Sequence, residues 1–259
     1  MLAKERHDSI CELLKQNGAV TTAELVDRFG VSVETIRRDL LVLEQNQKLQ
    51  RVHGGAVALE EMKPFMELSY RFNENDEQKK ELARTAASFV RDGDVIGMDS
   101  GSTAVFLAEA FKERLSRLTV VTHSLDVFEI LNSYKEFEVI LCGGHFLRQE
   151  NAFYGPVVIN TLQQLHVQKV FIFPSAVSLQ FGICDRQTQL FMVQQQLLHC
   201  GDSVYILADS SKFERKELLK LSEMQTNFTY ITDSNIKPGL LKAYAEQNLK
   251  IITERTKEK

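Results

Sequence analysis

The chain has 259 residues, 44% hydrophobic and 25% charged, and a formal net charge of −4; these are the proportions of a globular protein of one large domain or two ordinary ones. No uninterrupted apolar run of ~18 residues occurs, which excludes a membrane-spanning helix, and the charged N-terminus lacks an apolar signal core, so a cytoplasmic protein is expected. The acidic balance speaks against a broadly basic nucleic-acid surface. It is unevenly spread, however, because residues 1–57 hold eight Lys+Arg and eight Asp+Glu.

The apolar spacing predicts a first helix over 4–16, with Ile10, Leu13 and Leu14 inward and Asn17-Gly18 ending it. Thr21 or Thr22 caps a second short helix, with Glu24 near the capping-box position and Leu25, Val26 and Phe29 as its apolar side. Gly30 makes the turn into a third helix, for which Ser32 is a good N-cap. Val33, Ile36, Leu40 and Leu43 fall on one face of that helix. Glu34 and Arg38 point away from it, with Thr35 and Arg37 on the flanks. Such an outer face suits a DNA major groove, although alone it equally describes an amphipathic surface helix with a solvated Arg-Arg pair. Leu49–Leu59 then reads as two short strands around a Gly54-Gly55 turn, a wing carrying Arg51 and His53 toward phosphate or a minor groove.

Residues 5–57, with Val31-Ser-Val-Glu-Thr-Ile-Arg-Arg-Asp-Leu40 and Arg51-Val-His-Gly-Gly-Ala-Val57, resemble the winged helix of the DeoR family, bacterial transcriptional regulators that mostly repress sugar catabolism. Gln47 stands where the family usually has glycine, and Asn46 is expected to supply a left-handed residue instead. The resemblance implies a DNA-binding domain over 1–57 whose contact candidates are Thr22, Ser32, Glu34, Thr35, Arg37, Arg38, Arg51, His53, Gly54 and Gly55.

Residues 58–76 are polar, contain Pro64 and read as a linker, although Phe65, Met66, Leu68, Tyr70 and Phe72 suggest that it lies against a second domain over 77–259. A helix over 77–91 turns Leu82, Ala86 and Phe89 inward. Apolar runs at Val95–Met98, Leu118–Thr122, Phe137–Leu141, Val170–Phe173, Val204–Ala208 and Thr229–Thr232, with a short one at Leu249–Thr253, alternate with helical patterns near 103–114, 124–133, 154–165, 188–200 and 238–247. That alternation predicts an α/β domain with a largely parallel sheet. Cys11, Cys142, Cys184 and Cys200 are scattered, no Cys-x-x-Cys or His-x-x-x-His spacing occurs, and neither a metal nor another cofactor is expected.

In such sheets ligands sit beyond the carboxyl ends of the strands. The strand ends here carry Asp99-Ser100-Gly101-Ser102-Thr103, Thr122-His123-Ser124, Gly143-Gly144 with Arg148, Asp185, and Asp209-Ser-Ser-Lys212. Hydroxyls and exposed N–H groups before helices can cradle an anion, with Arg148 and Lys212 as cations; each loop alone is equally a helix cap or a solvated surface turn. Residues 75–235 resemble the effector domain of the same family, itself similar to the ribose-5-phosphate isomerase and glucosamine-6-phosphate deaminase group. The resemblance implies that Asp99, Ser100, Gly101, Ser102, Thr103, Thr122, His123, Ser124, Gly143, Gly144, Arg148, Asp185 and Lys212 line a sugar-phosphate pocket. Departures are His123 where asparagine is usual, Pro174-Ser175 at a strand end, and the lack of a carboxylate near Met192.

The expected function is therefore a repressor of a sugar-catabolism operon that binds double-stranded operator DNA. It would act as a homo-oligomer, dimer or tetramer, and answer to a phosphorylated sugar. The alternative is a sugar-phosphate isomerase or deaminase carrying a winged helix, for which Asp99, Asp185 and Asp209 are candidate bases; no carboxylate–histidine constellation is evident at the loops.

Overall fold

The computed structural model describes residues 3–17, 19–46, 48–52, 54–58 and 68–254. The chain divides into two compact units, Met1–Phe65 and Met66–Lys259. His53 and Gln47 lie outside the described residues.

The first unit contains helices α1 (Ala3–Asn17), α2 (Thr22–Phe29) and α3 (Val33–Gln45) and strands β1 (Ala19–Thr21), β2 (Leu49–Val52) and β3 (Gly55–Ala58). Thr21 is the cap of α2. Its hydroxyl accepts from the Glu24 N–H, and the Glu24 carboxylate accepts from the Thr21 N–H, closing a capping box. Gly30 ends the helix in the left-handed conformation, at φ 64. Ile10 and Leu14 of α1, Leu25 of α2, and Ile36, Leu40 and Leu43 of α3 close a small core with Leu49 and Ala56 of the wing. Two details differ from the sequence-based expectation. Val33 is 46% exposed, and Asp39 takes a place on the inner face instead. Asn46 has an ordinary φ of −86, so it is not the left-handed residue.

The wing is a three-stranded antiparallel sheet in the order β1-β3-β2, with Thr21 opposite Gly55. Gly55 is required sterically, since a Cβ there would stand 2.1 Å from the Val20 carbonyl oxygen.

The second unit opens with α4 (Leu68–Asn73) and α5 (Asp76–Ala87). The C-terminal half of the expected linker is thus helical and part of this unit: Leu68 is buried, and a cap contact from Lys79 holds the end of α4. Strands β4 (Val95–Met98), β5 (Leu118–Thr122), β6 (Phe137–Leu141), β9 (Val167–Ile172), β12 (Gly201–Leu207), β14 (Thr229–Ile231) and β15 (Lys250–Ile252) form one seven-stranded sheet in the order β15-β14-β12-β9-β4-β5-β6. Every pairing in it is parallel.

Side chains alternate faces along each strand. Ile96, Met98, Leu118, Val120, Phe171, Tyr205 and Leu207 pack under α5, α6 (Ser102–Arg114) and α7 (Leu125–Asn132). Val121, Val170, Ile172, Val204 and Ile206 pack under α8 (Pro156–Gln163), α9 (Thr188–His199) and α10 (Pro238–Glu246). Cys142 and Cys200 are buried on this second side, where burial pushes each thiol up to about 11.

Two small antiparallel additions follow the strand ends. The hairpin β7 (His145–Leu147) and β8 (Ala152–Tyr154) comes after β6, and a sheet of β10 (Ala176–Ser178), β11 (Gly182–Asp185) and β13 (Leu219–Ser222) is begun directly after β9. Because β4 and β9 are adjacent while the chain leaves them on opposite sides, the switch point of the sheet lies between their carboxyl ends. Among the described residues no helix is long and apolar enough to cross a membrane.

Candidate nucleic-acid interface and anion-binding site

In the first unit, α3 begins at Ser32, whose hydroxyl accepts from the Thr35 N–H at 3.2 Å and meets the Thr35 hydroxyl at 2.9 Å. Glu34, Arg37 and Arg38 are exposed on one side of the helix. Arg37 stands 3.8 Å from Glu34, an exposed ion pair of little energetic weight, so the guanidinium can leave it. Thr22 is half-buried at the start of α2 and Thr35 half-buried on α3. In the wing, Arg51 is exposed; its backbone N–H donates to Glu44 and its guanidinium lies 3.9 Å from the same carboxylate. Gly54, at φ 86, forms the exposed wing tip beside the buried Gly55. The outer face of α3 and the wing tip therefore present hydroxyls and guanidinium groups on a unit with no general positive charge.

The setting of α3 depends on a charge that the sequence pattern did not reveal. Asp39 is 5% exposed and receives Arg6 as a fork, Nε at 2.6 Å and Nη2 at 3.1 Å, while His7 Nε2 lies 2.8 Å away. Burial would raise its carboxyl, but the hydrogen bonds from Arg6 and His7 outweigh burial and hold it below the ordinary carboxylate value.

In the second unit, the carboxyl ends of β4, β5 and β11 bring Asp99, His123 and Asp185 into one buried network. His123 Nε2 lies 3.0 Å from Asp99 Oδ1, and His123 Nδ1 lies 2.8 Å from the Phe153 carbonyl oxygen. The side-chain amide of Gln194, on α9, donates to Asp99 Oδ2 at 3.0 Å and to Asp185 Oδ2 at 2.9 Å. Asp185 also accepts from the Ser175 hydroxyl. This corrects the expectation of no carboxylate–histidine constellation: the two side chains are 24 residues apart and meet only because β4 and β5 are neighbours. Both ring nitrogens of His123 face acceptors, so neither is left for a substrate, and the pair is fully buried. Its role is to hold the strand ends and the β7–β8 hairpin together.

Around this network stand four cations. Lys212, half-buried at the end of the Ser210–Lys212 turn, donates to the Pro174 carbonyl at 3.0 Å. Burial pulls its ammonium below the ordinary lysine value; Arg71 and Arg186 add to that, while Asp209 and Asp185 oppose it. Lys79 is 3% exposed on α5, and burial together with the Lys212 charge brings it down to about 8. Arg71 pairs with Glu150 and Arg186 with Glu217. The positive charge is crowded and partly desolvated, with the carboxylates of Glu150, Asp185, Asp209 and Glu217 set among it.

The expected pocket residues do not all join this cluster. Ser100, Ser102, Thr103, Thr122 and Ser124 are buried at the ends of β4 and β5. The Thr122 hydroxyl donates to the Met98 carbonyl and the Ser124 hydroxyl accepts from the Val127 N–H, so these two serve the loops. Gly101 turns at φ 124 into α6. Gly143 and Gly144 lead into β7, where a Cβ on Gly144 would stand 2.6 Å from the Tyr154 carbonyl oxygen. Arg148 is exposed in a short turn, and its neighbour Glu150 reaches inward in its place. The cationic members that sequence reasoning missed are Arg71, Lys79 and Arg186. Lys79 had a visible signal, since it shares the helical stripe of Leu82, Ala83 and Ala86. Met192 is 53% exposed, so the carboxylate missing there is a surface feature of α9. Among the described residues no group of three His, Cys, Asp or Glu could hold a metal ion.

Comparison with known proteins adds a second line of observation. Residues 6–62 match the DeoR-like helix-turn-helix domain, and residues 74–234 match the DeoR C-terminal sensor domain. The chain is 32% identical over 251 residues to YulB, an uncharacterized HTH-type transcriptional regulator of Bacillus subtilis (strain 168), covering 97% of this chain and 96% of that one. It is 32% identical over 248 residues to the lactose phosphotransferase system repressor of Lactococcus lactis subsp. lactis, covering 95% and 97%. A crystal structure of ribose 5-phosphate isomerase A from Neisseria gonorrhoeae overlaps 53% of each chain at 19% identity, with a TM-score of 0.39.

Proposed function

The chain belongs to the DeoR family of DNA-binding transcriptional regulators, and from that premise we propose that it represses a sugar-catabolism operon and releases the operator when a phosphorylated sugar binds its second unit. The observation that carries the reading is the group of Arg71, Lys79, Arg186 and Lys212 beside the switch point of a parallel sheet. Each of these cations already has a carboxylate near it, Glu150 at Arg71, Glu217 at Arg186 and Asp209 at Lys79 and Lys212, and a phosphoryl group competes for the same donors with more negative charge in one place. Asp99, Asp185 and Gln194 stay bonded to one another behind the site and hold the strand ends that frame it.

On the DNA side, Arg37, Arg38 and Thr35 of α3 read the major groove, with Arg51 and the Gly54 tip against the backbone; His53 is a further candidate by its place in the sequence. One winged helix touches few base pairs, so specific binding in a genome needs at least two half-sites and a dimer or tetramer of the chain in the cytoplasm. Ligand binding shifts the equilibrium between two states of different operator affinity. The enzymatic alternative is disfavoured because the buried Asp99–His123 pair of the second unit has both ring nitrogens occupied.

The decisive test pairs a thermal-shift screen of sugar phosphates with operator titrations at several salt concentrations. A true effector at ~100 times its dissociation constant adds ~2.7 kcal/mol of stability, and Lys212→Ala abolishes that gain. Arg37→Ala and Arg38→Ala weaken operator binding, each flattening the salt dependence by about one charge. Unchanged operator binding in both arginine variants refutes the groove assignment. Turnover of a sugar phosphate that Asp185→Asn abolishes restores the enzymatic reading.

A further inference from the structure

Helix α4 is the element at which the chain enters the second unit, starting at Leu68 just beyond the boundary at Phe65. Two ties hold its C-terminal end. Arg71 reaches Glu150, a carboxylate that is 3% exposed and also accepts from Gln187 Nε2 at 3.0 Å. Lys79, on α5, donates its ammonium to the main-chain carbonyls of Arg71 and Glu74. The last carbonyls of a helix have no partner within it, so a lysine there completes α4 from outside.

Both ties are made by side chains that also belong to the cationic cluster. Lys79 feels the like charges of Lys212 and Arg71 against the opposing ones of Asp209 and Glu74, and Lys212 feels Arg71 and Arg186 against Asp209 and Asp185. A lysine ammonium buried against two carbonyls, with like charges as neighbours, gains more from an anion than from the contacts it now makes. Arg71 has the same alternative: its present partner, Glu150, is a carboxylate, and a phosphoryl group competes for the same fork of N–H donors.

Building on the anionic effector proposed above, we propose that α4 is the occupancy sensor of the second unit. An anion beside Lys212 draws Arg71 away from Glu150 and Lys79 away from the α4 carbonyls, which loosens the helix through which the chain leaves toward the DNA-binding unit. Glu150 is then the internal competitor that keeps α4 in place when no ligand is bound. Arg71 and Lys79 are positioning residues in the free state and anion contacts in the bound one.

Hydrogen exchange of the full-length protein, with inorganic phosphate as the probe, tests this directly. Phosphate at tens of millimolar is expected to speed amide exchange over residues 68–76 several-fold while leaving the β4 and β9 amides protected. Glu150→Gln, which removes the competitor, is expected to bind phosphate several-fold more tightly. Arg71→Gln is expected to exchange fast in this segment without phosphate and to lose most of the response, and Arg71→Lys to keep part of it; circular dichroism checks that both fold. If phosphate raises the melting temperature of the wild type and not of Lys212→Ala, yet exchange over 68–76 is unchanged, the sensor is refuted and the anion site stands. If Glu150→Gln binds phosphate no more tightly, the competition is refuted. If phosphate leaves the melting temperature of the wild type unchanged, the anion site falls and the sensor with it.

Discussion

At the scale of single residues, Asp39 decides more about α3 than the arginines beside it. Its carboxylate is buried against Arg6 and His7 of α1, so the pair fixes which way the outer face of α3 is turned. Asp39→Ala leaves a guanidinium without its partner, and we expect a loss at the lower end of the ~3–5 kcal/mol typical of broken buried pairs, because the small unit leaves the pair near solvent. Urea denaturation followed on the first unit measures it. Since the Asp39 carboxyl sits below its unfolded value, its contribution is present above that value and fades as pH falls through the folded one. None of this was legible locally. The helical period pointed to Ile36, Leu40 and Leu43 correctly, but it put Val33 inward because a carboxylate carries no apolar signal. The partners that bury it lie 32 and 33 residues away. Gln194 escaped for the same reason: a glutamine on a polar stretch of α9 reads as solvated until Asp99, 95 residues earlier, is placed against it.

At the scale of elements, the long periodic segments were readable and the short ones were not. Strands β4 and β5 have the boundaries their apolar runs suggest, because a strand buried on both faces is apolar nearly throughout; the edge strand β6 matches as well despite the exposed Glu138. The strands of β7–β8 and of β10–β11–β13 are three or four residues long and mix polar with apolar side chains, too short to show alternation. β1 was missed as well, although it explains Gly55. The sequence suggested that both glycines serve a turn; in the structure Gly54 has the left-handed φ of 86, while Gly55 makes room for the Val20 carbonyl. The two substitutions should therefore differ. Gly54→Ala costs about 1–2 kcal/mol for its backbone conformation. Gly55→Ala forces β1 from β3 and should lower the melting temperature of the first unit by clearly more, together with operator binding. Equal effects of the two would remove the steric explanation.

At the scale of the whole molecule, charge in the cationic cluster links ligand affinity to pH. Lys79 is held at about 8 by burial and by Lys212, against 10.5 for an ordinary lysine. Between those values the folded chain binds fewer protons than the unfolded one, so this group costs stability below pH 8 and the cost recedes as pH rises. Anion affinity runs the other way and should fall as pH passes 8, where phosphate is already dianionic and only the protein changes. Calorimetric titration with phosphate from pH 8 to 9.5, above the second ionisation of phosphate itself, measures the fall, which should be much weaker in Lys79→Gln. The sequence pointed to the ends of the strands and to Lys212; Lys79 showed only as a lysine on an apolar helical stripe, and Arg71 and Arg186 became recognisable only once α4 and the end of β11 were packed together. The order of the central sheet has a further consequence during synthesis. All candidate DNA contacts lie before residue 58, whereas the anion site draws on Arg71, Asp99, Asp185 and finally Lys212, so no nascent chain shorter than 212 residues holds the complete set. At the ~5–20 residues per second of translation, the roughly 150 intervening residues take about 8–30 s. On the reading proposed above, each polysome carries for that interval DNA-binding units that no metabolite can yet instruct, and a requirement for two half-sites would keep those tethered copies from occupying an operator.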